Sequence, residues 1–194
     1  MTKVSVERLA TDVAILLGEG LAEESDVYES PFPRIKDRVL VMAPGLLANL
    51  IKEAPRPALT GFVGLDLEVQ ADSDGMVRII LPDEFLRLYA IKMSDWRRPV
   101  TEITCIGDVA ADMQTSRWKG IKGTPERPVA LEDTDGTGKR CLRLFSSAPA
   151  ASLSYFFFFK MPKWESDSSI DVPDLLYSEL AGRIAEEIRK TGKD

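Results

Sequence analysis

FVGLDLEVQ, residues 62–70, decides the fold. Val63, Leu65, Leu67 and Val69 alternate with Gly64, Asp66, Glu68 and Gln70, the period of two that a half-buried strand requires. Everything before this stretch has a different period. In SVERLATDVAILLGEGL (5–21), Val6, Leu9, Val13, Leu16 and Leu17 recur at helical spacing. Ser5 is placed to cap that helix, and Glu7 suits its positive end. The polar run ESDVYESPFP (24–33) breaks it. A second helical stripe over 34–52 uses Ile35, Val39, Met42, Leu46 and Leu50, with Pro44 inside it. Proline lacks an N–H and disfavours helical geometry at Ala43, so a kink or a break into two helices is expected.

After residue 62 the strand signals continue for about a hundred residues. MVRIILP (76–82) reads as the return strand of a hairpin over ADSDG (71–75), an Asp-Gly turn. FLRLYAIKM (85–93) and RPVTEITCI (98–106) are two further strand candidates, and GDVAADMQTSRW (107–118) is a short helix or loop. PVALED (128–133) and KRCLRLF (139–145) flank DTDGTG as a second hairpin, and LSYFFFFKM (153–161) is the last strand. Helical period returns in DVPDLLYSELAGRIAEEIRK (171–190), with Asp171 as expected cap and Pro173 in the first turn. Leu176, Leu180, Ile184 and Ile188 line one face, while Glu179–Arg183 and Glu186–Lys190 form i,i+4 pairs on the other.

Helices, then strands, then a helix is the block order of an α+β fold. The expected architecture is a helical bundle from 1–60 and 163–194, with an antiparallel β region, sandwich or barrel-like, inserted over 61–162. The apolar stripes of the first and last helices are expected to cover each other.

Composition limits the chemistry. The 194 residues contain no histidine, which excludes Ser–His and Cys–His pairs, histidine general bases and histidine-ligated metals. Acid–base work would fall to carboxylates, lysine or tyrosine. The net charge of −6 argues against a dedicated nucleic-acid binder. Cys105 and Cys141 fit no metal spacing and are expected to be buried free thiols. No apolar run reaches membrane length. MTKVSVERLA has no charged-then-apolar leader, so a cytoplasmic setting is expected.

Four stretches are candidate sites. DTDGTGK (133–139) lacks the first Gly and the final Ser or Thr of a phosphate loop, and an EF-hand begun at Asp133 would place Leu144 where a bidentate Glu is needed. A hairpin turn is the better reading, and no metal, nucleotide or other cofactor is expected. Asp83, Glu84 and Asp95 lie near strand ends and could pair for acid–base work or cation binding, although a turn explains Pro82 and Asp83 equally simply. RWKGIKGTPERP (117–128) sets Arg117, Lys119, Lys122 and Arg127 around Trp118. Cations interleaved with an aromatic can hold phosphates, bases or a protein partner, and the plainer expectation is a solvated loop with Trp118 anchored in the core. In SYFFFFK (154–160), Tyr155, Phe157 and Phe159 face one way and Phe156 and Phe158 the other. Both faces need cover, from the chain itself or from a neighbouring subunit meeting Phe156 and Phe158.

The order of these motifs resembles the head–tail adaptor, or tail-tubular ring, proteins of short-tailed bacteriophages. The likeness rests on an N-terminal helical segment, the strand-turn LPDEFLRL (81–88), and the Trp–Lys–Gly loop before a Pro-flanked strand. LRLFSSAPAASLSYFFFF (142–159) and the closing helix complete it. The acidic DSDG turn and the aromatic-saturated last strand depart from that pattern. The resemblance implies a non-enzymatic virion structural protein, assembled in the host cytoplasm into a homo-oligomeric ring between portal and tail. Its partners would be the portal protein, the downstream tail protein and, non-specifically, DNA in the ring lumen. The alternative is a hydrolase or small-ligand-binding domain using Asp and Glu.

Overall fold

A computed structural model of the chain describes residues 1–18, 32–71 and 76–191. In chain order the elements begin with β1 (Thr2–Ser5), α1 (Val6–Leu17), α2 (Phe32–Glu53), β2 (Val63–Gly64), β3 (Val69–Ala71), β4 (Val77–Ile80) and β5 (Phe85–Met93). They continue with α3 (Val109–Thr115), β6 (Ala130–Thr134), β7 (Arg140–Leu144), β8 (Leu153–Lys160), β9 (Ser169–Val172) and α4 (Tyr177–Thr191). Helices and antiparallel strands are segregated along the chain, an α+β fold. The chain divides into two compact units, Met1–Gly61 with Met161–Asp194, and Phe62–Lys160.

In the first unit, the Ser5 hydroxyl accepts the Arg8 N–H at 3.2 Å to cap α1, and Glu7 in the first turn pairs with Lys36 at 2.7 Å. Gly18 ends the helix at φ +77°, a left-handed geometry that suits glycine. Residues 19–21 of the expected helix, and most of the polar break at 24–33, lie outside the described residues. Val6, Leu9 and Val13 are buried as expected, whereas Leu16 turns outward.

Pro44 does not divide the second helix: α2 runs unbroken over 22 residues. Its buried stripe is Ile35, Val39, Ala43, Leu47 and Leu50, so Ala43 and Leu47 replace Met42 and Leu46 on the packed face. That is the stripe a continuous 3.6-residue period selects. The carbonyl that Pro44 leaves unpaired belongs to Leu40, and the Trp164 indole N–H donates to it at 2.8 Å.

The C-terminal segment departs from expectation. Residues 169–172 form β9, which pairs antiparallel with β1, so Asp171 lies opposite Lys3 instead of capping a helix. One turn of 3₁₀ helix, Asp174–Leu176, leads into α4. The four residues of β1 carry no signal of their own beside the stronger helical period that follows them. In α4, Leu180, Ile184 and Ile188 are buried, and Glu179–Arg183 and Glu186–Lys190 pair at 2.9 and 3.1 Å on the exposed face. Helices α1, α2 and α4 pack pairwise.

In the second unit the decisive stretch 62–70 is shared between sheets. Val63–Gly64 pairs with β8, and Val69–Ala71 pairs with β4. The turn at 72–75 lies outside the described residues. One sheet has the order β2-β8-β5 and the other β3-β4-β7-β6. Val77 and Ile79 from β4, Leu142 and Leu144 from β7, Leu88 and Ile91 from β5, and Phe156 and Phe158 from β8 gather in a single apolar cluster. Two sheets sharing one core form a sandwich-like arrangement, and neither sheet closes into a barrel. The expected strand over 98–106 is absent. That segment contributes only isolated bridges, Ile91 with Val100 and Thr104 with Leu131.

Candidate partner-binding surface

The segment between β5 and β6 buries Trp96, Val100 and Ala111 but leaves other large apolar side chains in solvent. Ordinary α3-sized helices put apolar residues inward. Here Gln114 is buried, only 4% exposed, while Val109 and Met113, one turn apart on α3, face solvent. Ile106, Trp118 and Ile121 are also exposed, Trp118 to 78%. Gln114 is fully committed where it lies: its Nε2 donates to the Ala110 carbonyl at 2.9 Å, and its Oε1 accepts the Gly123 N–H at 2.8 Å. Gly123 packs so closely that a Cβ there would meet the Ser146 hydroxyl oxygen at 2.5 Å and the Phe145 carbonyl at 3.3 Å. At the other end, the Asp108 carboxylate accepts the Cys105 N–H at 2.8 Å, and the Trp118 N–H donates to the Ser116 hydroxyl at 3.1 Å. These bonds tie the segment to itself, and the side chains of Ile106, Val109, Met113, Trp118 and Ile121 are left to solvent or a partner.

Two expectations are corrected here. Trp118 is not anchored in the core; the loop's internal hydrogen bonds fix its shape without using the ring. Cys105 is exposed, because the segment containing it is not a buried strand, whereas Cys141 is buried within β7. Of the expected cations, Arg117, Lys122 and Arg127 have no ion-pair partner among the described residues. Lys119 begins a 3₁₀ turn, Lys119–Ile121, and its side chain lies outside what the structure describes. Sequence reading missed Ile106, Val109, Met113 and Ile121. The available signal was the i,i+4 pair Val109 and Met113 on a short helix whose intervening face offers Gln114 to the interior.

The aromatic strand also sorts differently from expectation. Phe156 and Phe158 are 1% and 0% exposed inside the sandwich core, so neither is free to meet a partner. The opposite face is partly clad by the chain itself. Phe62 stacks on Tyr89 with ring centroids 4.2 Å apart and lies 5.3 Å from Phe157, which in turn stacks on Tyr155. Gly64 sits opposite Phe157 in register, and a Cβ there would meet the ring at 2.8 Å. The glycine gives the ring room to lie across the neighbouring strand. Lys160 closes the aromatic run and pairs with Glu84 at 2.7 Å.

The carboxylates near the strand ends do not converge. Glu84 is taken by Lys160, and Asp95 accepts from the Ser147 hydroxyl at 3.0 Å and the Ala148 N–H at 2.8 Å, fixing the turn before β8. DTDGTG is a hairpin turn. Asp135 accepts from Thr137 and from the Lys139 N–H, and the Thr137 bond, above all, holds its carboxyl below the usual range. Beside it, a groove of about 250 Å³ runs over the outer face of the four-stranded sheet, lined by Arg78, Arg143, Asp133 and Cys141 among others. Arg143 donates to Asp133 at 3.2 Å, so the groove balances its own charges. Burial pushes the Cys141 thiol up, and Asp133 adds to the effect, so it stays protonated near neutral pH.

Among the described residues, no cluster of acidic or sulfur side chains is arranged to hold a metal, and no helix is long and apolar enough to cross a membrane. No protein-family model matches the chain, and no curated protein compared with it matches either.

Proposed function

We propose that this chain is a non-enzymatic structural protein that works by assembly, and specifically a head–tail adaptor of a short-tailed phage virion. In that role it forms a homo-oligomeric ring seated between the portal and the downstream tail protein, with DNA passing through the lumen. The observation that carries an assembly role is the segment 106–121, which exposes five large apolar side chains, Ile106, Val109, Met113, Trp118 and Ile121. Leaving Trp118 and four aliphatic side chains in water costs free energy that a partner surface would recover. The assignment to phage adaptors rests on the order of motifs, with LPDEFLRL at the entry to β5 and the aromatic β8 leading back toward α4. The alternative, a ligand-binding or hydrolytic domain using Asp and Glu, gains no support from Glu84 and Asp95, which serve the fold.

The test is co-expression with the portal protein of the same genome, followed by electron microscopy of the purified portal. A ring of added density at one end of the portal is the expected result. Portal particles that never retain the chain, at any stoichiometry, would remove the adaptor assignment.

A further inference from the structure

We infer that Asp135–Gly136, at the tip of the β6–β7 hairpin, is a latent site of backbone isomerisation to isoaspartate, and that the Thr137 hydroxyl is the side-chain group that restrains it. The inference lies outside the adaptor reading and does not depend on it.

The reaction needs only the chain and water. The Gly136 amide nitrogen attacks the Asp135 side-chain carbon Cγ. An N–C bond forms, a C–O bond breaks, and the hydroxyl of the protonated carboxyl leaves as water, taking the amide proton. Water then reopens the five-membered imide at either carbonyl. One opening returns aspartate; the other gives isoaspartate, in which the main chain runs through Cβ and Cγ. Closure is easiest where the residue after Asp has no Cβ to crowd the ring, where its N–H is free and where the carboxyl is protonated and able to turn. Gly136 meets the first two conditions. It is exposed, and its N–H has no hydrogen-bond partner among the described residues.

The fold withholds the third condition. One oxygen of Asp135, Oδ1, accepts the Thr137 N–H at 2.8 Å, the Thr137 hydroxyl at 2.7 Å and the Lys139 N–H at 2.8 Å. Each donor favours the carboxylate over the acid, and the hydroxyl is first among the influences that hold this carboxyl low. Each also resists the rotation that would bring Cγ to the Gly136 nitrogen. Two of the donors are main-chain groups, so only the hydroxyl depends on the identity of residue 137. The main chain closes the same turn: the Asp135 N–H donates to the Lys139 carbonyl at 2.8 Å, and the Gly138 N–H to the Asp135 carbonyl at 3.0 Å. An extra backbone carbon at this point would break that closure next to the Thr134–Arg140 pair. It would also move a carboxylate along the wall of the groove that Arg78 and Arg143 line. The chain's other Asp–Gly pair, Asp74–Gly75, lies outside the described residues.

The experiment ages the full chain for weeks near neutral pH and measures isoaspartate in the tryptic peptide that ends at Lys139, which is separate from the one holding Asp74–Gly75. Circular dichroism checks that each protein stays folded. Thr137→Val keeps the shape and the N–H but removes the hydroxyl. It is expected to isomerise about fivefold or more faster than the parent, the factor that one hydrogen bond is worth. Thr137→Ser restores a hydroxyl and is expected to match the parent. Gly136→Ala is expected to be slower than the parent, and its Cβ would meet nothing within 4 Å, so the turn can accept it. The parent held unfolded in guanidinium chloride is expected to isomerise many times faster than the folded parent. Thr137→Val at the parent's rate overturns the inference. So does Thr137→Ser as fast as Thr137→Val, which would assign the restraint to the shape of the turn and not to the hydroxyl. Isomerisation undiminished in Gly136→Ala overturns the site, and a folded parent as labile as the unfolded chain overturns the restraint without any substitution. The portal experiment bears on none of these outcomes.

Discussion

Trp164 donates its indole N–H across 2.8 Å to the main-chain carbonyl of Leu40, the carbonyl that Pro44 leaves without a helical partner. A side chain about 120 residues away in sequence thus supplies the hydrogen bond that proline cannot make. Trp164→Phe keeps most of the ring and removes the donor. It is expected to cost about 1 kcal/mol in denaturant unfolding, the usual loss when a carbonyl goes unpaired. Pro44→Ala returns a backbone N–H to that carbonyl. The double variant is therefore expected to lose less than Trp164→Phe does alone in the Pro44 background. Strict additivity in that cycle would show that the indole bond does not compensate for the proline.

Tyr177 couples α4 to α1 through its hydroxyl, which donates to the Asp12 carboxylate, with the Arg8 guanidinium 5.5 Å from the ring centre. Burial first, and Asp12 second, raise the phenol from 10.0 to about 12. A group held protonated by the fold stabilises fully below its unfolded pKa. That contribution is expected to disappear as the pH rises from about 10 to about 12. Thermal melts across this window should show a steeper fall for the parent chain than for Tyr177→Phe. Equal slopes would mean that the hydroxyl is not held in the fold.

The aromatic strand makes a graded prediction. Phe158 is wholly buried, so Phe158→Ala is expected to cost about 3–5 kcal/mol. Phe157 lies on the partly exposed face, and Phe157→Ala is expected to cost less, about 1–2 kcal/mol. Gly64→Ala should destabilise the parent, because its methyl meets the Phe157 ring, and should be nearly neutral in the Phe157→Ala background. Urea midpoints for the four proteins decide the matter. A Gly64→Ala effect that is independent of residue 157 would remove the steric account.

Trp96 is 2% exposed, and its indole N–H has no hydrogen-bond partner among the described residues. Such a group carries its desolvation cost without return. Trp96→Phe, which deletes the N–H at some loss of packing, is expected to change stability by no more than about 1 kcal/mol. A loss of several kcal/mol would point to a partner for the indole that the structure does not show.

The block order of helix and strand was legible from residues 62–70 because period is a local property. What a strand pairs with is not. The alternation of Val63 to Val69 reads as one strand, yet its two ends join different sheets, and nothing within nine residues encodes that division. The strand at 169–172 is not legible either: the helical reading from Asp171 overlaps its second half, and its partner, Thr2–Ser5, lies at the far end of the chain. Pro44 misled for a related reason: its penalty is local, while the compensation from Trp164 is not. For the candidate surface, the Arg117–Arg127 loop was visible as a cluster of cations around an aromatic. The exposure of Trp118 was not, because the same residue could anchor a core or stand free with no change in its neighbours. Phe156 and Phe158 show the converse: alternation divided the strand's faces correctly but could not say which face was inside.

The pairing of β1 with β9 has a consequence for biosynthesis. A ribosome delivers Thr2–Ser5, α1 and α2 first, with Leu9, Val13, Val39 and Leu47 in place to be buried but no α4 to bury them. At about 5–20 residues per second, the ~120 residues between the end of α2 and the end of β9 take on the order of ten seconds to emerge. For that interval the nascent chain carries an unpaired β1 and two helices with uncovered apolar faces, whereas the intervening β unit has all of its own strands as soon as Lys160 emerges. The helical unit is thus the last to be sealed, and the half-made protein is a natural client for chaperones that shield apolar surface during translation.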